Sequence, residues 1–243
     1  MNGLSHLMFI CARNCEALHK KKYKLYNIVQ YMISHDLKFI FIHIPKTAGN
    51  SLALFLKDHV ANEVIVRESK MGPNQGIDII CEINNKDIKH KPISYYNNLY
   101  KSKIDDYYKF TIVRNPYDRL LSFYFWQKGK THQTFNKEDF KQFIYRNQSY
   151  QHTYIWDSTL NKIDPTVHII RFEDLINGLK ETPPLKDFNF EKDYPHINAS
   201  INTQLDWTTL YDKELRDLVY KKYKRDFIFF NYEETPSITS GTS

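Results

Sequence analysis

The chain has 243 residues, 42% of them hydrophobic, with 34 Lys and Arg against 28 Asp and Glu for a formal net charge of +6. That length holds one substantial α/β domain without demanding a second, and the basic balance suits an acidic ligand or partner. Three cysteines (Cys11, Cys15, Cys81) exclude a disulfide framework, no stretch approaches the length of a transmembrane helix, and the lysine clusters are too scattered for a nucleic-acid face. The expectation is a soluble, cytoplasmic protein of a reducing compartment, with no metal set among its His and Cys residues.

Residues 1–36 read as an N-terminal helical extension, because Leu18, Leu25, Ile28, Val29 and Met32 recur at near-helical spacing over about residues 15–33. The main domain is expected over 37–232. It opens on Phe39 to Ile44, a run of apolar, aromatic or β-branched residues suited to a strand buried on both faces. Pro45 breaks the run. Lys46-Thr47-Ala48-Gly49-Asn50-Ser51 follows, and then Leu52 to Leu56 in a helical pattern, so the order is strand, tight loop, helix start. An anion suits such a place: N–H groups of a first helical turn face the loop, the helix dipole favours negative charge, and Lys46 adds a cation while Thr47 and Ser51 add hydroxyl donors. The lysine precedes the glycine, so this is not a Walker A loop. The plain alternative is a βα turn with a helix cap and an exposed lysine.

A second strand is expected at Glu63 to Arg67. From Ser69 to Lys91 the chain is polar and broken by Gly72-Pro73 and Gly76, which reads as a long excursion of the kind that often binds ligands. Near its end His90 stands between Lys89 and Lys91, whose charges disfavour its protonation and leave it able to accept a proton. His43 reads as structural.

Lys109 to Val113 is another buried strand, and Asn115-Pro116 a helix start in which Asn caps and Pro fills the first turn. Asp118 suits the positive end of that helix. Arg114 thus stands where a strand meets a helix N-terminus, at the ligand-facing edge of an open α/β sheet. Further on, residues 135–145 read as a helix. Residues 148–157 alternate aromatic and polar side chains, 165–171 form a strand, 172–179 a helix, and 212–223 an amphipathic helix. Residues 233–243 have few apolar side chains and are expected to be disordered.

Pro45 to Ser51 resembles the 5′-phosphosulfate-binding loop of the sulfotransferases that use 3′-phosphoadenosine 5′-phosphosulfate (PAPS), and Arg114-Asn115-Pro116-Tyr117-Asp118-Arg119-Leu120-Leu121-Ser122 resembles their 3′-phosphate-binding segment. The similarity is greatest to the carbohydrate branch that includes the uronyl 2-O-sulfotransferases. It continues at Ile169 to Leu175 and from Tyr211 through Phe230, and covers roughly residues 38–232. Two departures stand out: Asn50 replaces the usual Thr of the loop, and the Golgi anchor of animal members has no counterpart here.

The resemblance implies a three-layer α/β fold of the P-loop-kinase-like sulfotransferase type, with a mostly parallel central sheet and helices on both faces. It implies that Lys46 contacts the 5′-phosphate and the oxygen bridging to sulfur. The backbone of Thr47, Ala48, Gly49 and Asn50 and the Ser51 hydroxyl would cradle that phosphate, and Arg114 and Ser122 would hold the 3′-phosphate. His90 lies where the uronyl branch places its general base, with Glu68 and Glu82 as competing carboxylates. The implied reaction moves a sulfuryl group from PAPS to a hydroxyl, on a carbohydrate, leaving PAP (adenosine 3′,5′-bisphosphate), with no metal. A non-catalytic nucleotide- or anionic-glycan-binding module on the same fold is the alternative. An ATP phosphotransferase is disfavoured by the missing Walker A order and by the lack of a magnesium-binding acidic pair.

Overall fold

The computed structural model describes residues 33–56, 65–70, 77–83, 86–87, 89–129, 134–194 and 207–234, so most of the N-terminal extension and nearly all of the tail lie outside the described residues. A central sheet runs in the order β1 (Ile33–Ser34), β2 (Phe39–Ile42), β6 (Tyr108–Val113), β9 (Val167–Arg171). β1 is antiparallel to β2, while β2 and β6, and β6 and β9, pair in parallel, with Phe41 opposite Phe110 and Thr111 opposite Ile169. Every residue of β2 is buried, as its unbroken apolar run requires of a strand covered on both faces.

Helices surround this sheet and give the α/β architecture expected from the sequence. They are α1 (Gly49–Leu56), α2 (Ile93–Tyr100), α3 (Pro116–Gln127), α4 (Lys137–Arg146), α5 (Leu175–Lys180), α6 (Phe190–Asp193) and α7 (Lys213–Phe229). α3 and α7 pack together, and each carries buried apolar residues, Tyr117, Leu120, Leu121 and Tyr124 on one and Leu215, Val219, Tyr223 and Phe227 on the other. The rings of Tyr117 and Phe227 meet at 5.0 Å. α7 runs six residues past the expected end at Tyr223, where the backbone departs from helical geometry (φ −105°, ψ 19°). Just before that kink, Lys222 Nζ donates to the carbonyl oxygens of Ile144 and Tyr145 at 2.5 and 2.8 Å, placing a cation at the C-terminus of α4.

The polar excursion is not a loop. β3 (Ile65–Lys70), β4 (Ile77–Ile83) and β5 (Lys86–Asp87) form a separate antiparallel sheet, with Ile65 opposite Glu82 and Glu68 opposite Ile79. The reason is visible in the pattern: Ile77, Ile79, Cys81 and Ile83 recur at every second position, a strand period that the surrounding polar residues obscure. The remaining pair, β7 (Trp156–Asp157) and β8 (Lys162–Ile163), closes a short hairpin that begins at the end of the alternating 148–157 segment. Phe172 to Asp174 is a 3₁₀ turn ahead of α5 rather than the first turn of one helix.

Candidate active site

β2, β6 and β9 are parallel neighbours, so the turns that leave their carboxyl ends lie side by side, at the edge where open α/β sheets bind ligands. The first turn takes an unusual backbone. Lys46 and Ala48 hold φ of +70° and +68°, on either side of Thr47. Alternation between left- and right-handed residues turns successive N–H groups toward one concavity, an anion-binding arrangement. Leu52 N donates to Ala48 O at 3.1 Å, so the first turn of α1, Gly49 to Ser51, follows the loop directly. The Thr47 hydroxyl is not available to a ligand as expected. It is buried and donates to Ile44 O at 2.9 Å, closing the loop.

Gly49 is needed for space. A Cβ there would lie 2.0 Å from Cδ2 and Nε2 of His43, whose ring is packed on the glycine. His43 is indeed a buried structural residue, and its pKa is held well below the ordinary histidine value by burial and then by the positive charge of His90, Lys89 and Lys46. It is therefore neutral near pH 7, with Nδ1 buried and without a hydrogen-bond partner. Lys89 and Lys46 place two cations beside one buried ring, a field that attracts anions.

The second turn is built locally. Asn115 caps α3 by accepting from Tyr117 N at 3.0 Å, and Pro116 occupies the first helical position. Arg114 is aimed by its neighbours: Nε donates to Asp118 Oδ2 at 2.6 Å, and the guanidinium lies 4.1 Å over the Phe172 ring from the third turn. Glu173 of that turn accepts from Asn115 N at 2.7 Å and from the Tyr232 hydroxyl at 2.8 Å. Ser122 stands one helical turn beyond Asp118 on the same face of α3 and is half-buried.

Two arginines tie the turns together. Arg114 Nη1 donates to Lys46 O at 3.3 Å, and Arg119 Nε to Pro45 O at 2.8 Å. His90 joins from the segment before α2: its ring centroid is 4.5 Å from that of His43, and its Nδ1 lies 3.2 Å from His43 O. A carbonyl only accepts, so Nδ1 carries the proton and Nε2 of this exposed ring is the nitrogen that can take one up. Lys46, Arg114 and His90 thus converge on the backbone of one loop. Glu68 and Glu82 belong to the separate antiparallel sheet.

Some residues at the site have no role readable in the sequence. Arg119 is 1% exposed although it stands off the apolar stripe of α3 that carries Tyr117 and Leu120, so no sequence signal points to its burial. Trp126, at 5.5 Å from Lys46 Nζ by its ring centroid, and Gln151 give no such signal.

Among the described residues no group of three His, Cys, Asp or Glu side chains could hold a metal ion, and no helix is long and apolar enough to cross a membrane. The model of the sulfotransferase family matches residues 29–233 of the chain. No curated protein and no solved structure matches it.

Proposed function

The chain belongs to the sulfotransferase family, and from that premise we propose that it transfers a sulfuryl group from PAPS to a hydroxyl of a carbohydrate, with His90 as general base. The observation that carries this reading is the convergence on the 43–48 loop: Arg114 bonded to the carbonyl of Lys46 and His90 to that of His43. PAPS fits the residues present. The left-handed turns at Lys46 and Ala48 and the first turn of α1 suit a 5′-phosphate. Arg114, with Nε and Nη1 anchored, retains further N–H donors for a 3′-phosphate, and Ser122 stands one turn beyond its partner Asp118.

When bound, PAPS supplies a sulfur whose bond to the 5′-phosphate oxygen breaks as the acceptor oxygen attacks. Lys46 stabilises the negative charge gathering on that leaving oxygen, and the loop N–H groups share it. His90 takes the acceptor's proton at Nε2 while His43 O holds Nδ1–H and fixes the ring. Neutral His43, packed on Gly49 of the loop, adds no competing charge. The carbohydrate acceptor is favoured by the likeness of the His90 segment to the uronyl branch and by the basic surroundings of His90, between Lys89 and Lys91.

The test is a thermal-shift titration with PAP, ADP and ATP, repeated on His90→Ala. A ligand that binds only the folded protein raises its melting temperature by mass action. The expected result is stabilisation by PAP well beyond that by ADP or ATP. In His90→Ala that stabilisation persists, while transfer from PAPS falls by about 10²–10⁴-fold. Stabilisation by ATP but not PAP overturns the donor; unchanged transfer in His90→Ala overturns the base.

A further inference from the structure

Behind the two turns runs a buried polar chain that the transfer chemistry does not use. Gln151, fully buried, grips the backbone of Arg114 with both ends of its amide: Oε1 accepts from Arg114 N and Nε2 donates to Arg114 O, each at 2.9 Å. Two residues earlier, Ser149 receives the other arginine. Arg119 Nη1 donates to Ser149 O at 2.9 Å and Nη2 to Ser149 Oγ at 2.7 Å, while Nε of the same guanidinium holds Pro45 O. One short segment therefore holds the Lys46 loop through Arg119 and Arg114 directly.

The segment is itself held by a single carboxylate. Asp226, with no exposed surface, lies in α7 just past the kink at Tyr223 and accepts from Gln151 N at 2.8 Å, His152 N at 3.0 Å and His152 Nδ1 at 2.6 Å. It also compensates the buried Arg119. Burial lowers the pKa of that guanidinium, and the charge of Asp226 is the largest influence opposing the shift.

We infer that Ser149 to His152, clamped by Asp226, is a brace that sets the spacing between the Lys46 loop and Arg114, and that Gln151 is a positioning residue selecting ligands phosphorylated at both the 3′ and 5′ ends. The inference rests on the assignment of the two turns to the two phosphates. Its physical content is geometric. A ligand gripped at both ends is sensitive to the distance between the grips, whereas a ligand gripped at one end is not. Loosening the brace therefore weakens a bisphosphate more than a monophosphate.

The experiment measures dissociation constants for adenosine 3′,5′-bisphosphate and adenosine 5′-phosphate by calorimetry, on the wild type, Gln151→Met and Ser149→Ala. Gln151→Met removes both amide bonds at similar volume and is expected to cut the preference for the bisphosphate by about tenfold, with monophosphate binding changed by less than about threefold. Ser149→Ala removes one bond from the other arm, at a half-buried position, and is expected to cut the same ratio by about threefold. If Gln151→Met does not fold, Ser149→Ala carries the test alone. Equal losses for both nucleotides, or an unchanged ratio, overturn the brace. A wild type that shows no preference for the bisphosphate overturns the phosphate assignment and the brace with it, and that result is read before any variant is made.

Discussion

The two strand-to-helix turns at the head of the sheet have similar positions and different constructions. The turn after β6 has favourable local geometry of its own, in that Asn115 caps, Pro116 fits the first helical position and Asp118 reaches back one turn to Arg114, and Gln151 and Glu173 add bonds to the backbone of Arg114 and Asn115 from outside. The turn after β2 depends on such outside bonds. Its two left-handed residues each cost on the order of 1 kcal/mol, its glycine is pressed by the His43 ring, and its carbonyls are held by Arg114, Arg119 and His90. Left-handed backbone is intrinsically unfavourable, so the loop depends on its outside partners for its shape, whereas the capped turn has a locally favoured shape to which its outside bonds add. Damage should therefore spread differently from the two.

The largest expected effect tests the chemistry assigned to the supported loop. Lys46→Ala should lower turnover by about 10²–10³-fold or more, as loss of a charge stabiliser at a leaving oxygen does, and a steady-state assay showing near-wild-type turnover would remove the loop from catalysis. Next comes Gly49→Ala. The added Cβ must displace the His43 ring, and the expected cost is about 1–3 kcal/mol in denaturant melts. Adding His43→Ala to that variant should recover part of the loss, and full additivity of the two changes would show that the ring is not what the glycine accommodates. The smallest effect belongs to the capped turn. Asn115→Ala should cost about 1 kcal/mol and leave affinity for PAP nearly unchanged. If it matched Gly49→Ala in stability, or weakened PAP as much as the loop variants do, the contrast between the turns would not hold.

Sequence and structure divide along the same line. Legible in the sequence were features that depend on residues a few positions apart: the buried β2 from its apolar run, the cap at Asn115-Pro116, the small and hydroxyl residues of the loop, and the placing of Lys46 and Arg114 at the ends of strands. The α/β class follows from these, because a strand apolar on both faces needs cover on both. The strands of the β3 to β5 sheet were also written locally, in the alternation over Ile77 to Ile83, but weakly, since polar neighbours dilute the pattern.

Only the tertiary structure decided how the pieces meet. His90 reaches a carbonyl 47 residues away and Arg119 one 74 residues away, and no local pattern encodes such distances. It decided that the Thr47 hydroxyl closes the loop, that Gln151 grips Arg114, and that Asp226 anchors Gln151 from a helix near the end of the domain. The physical reason is that a hydrogen-bond donor's chemistry is carried by its residue type, whereas its partner is chosen by strand order and packing, and those are settled by the whole chain at once.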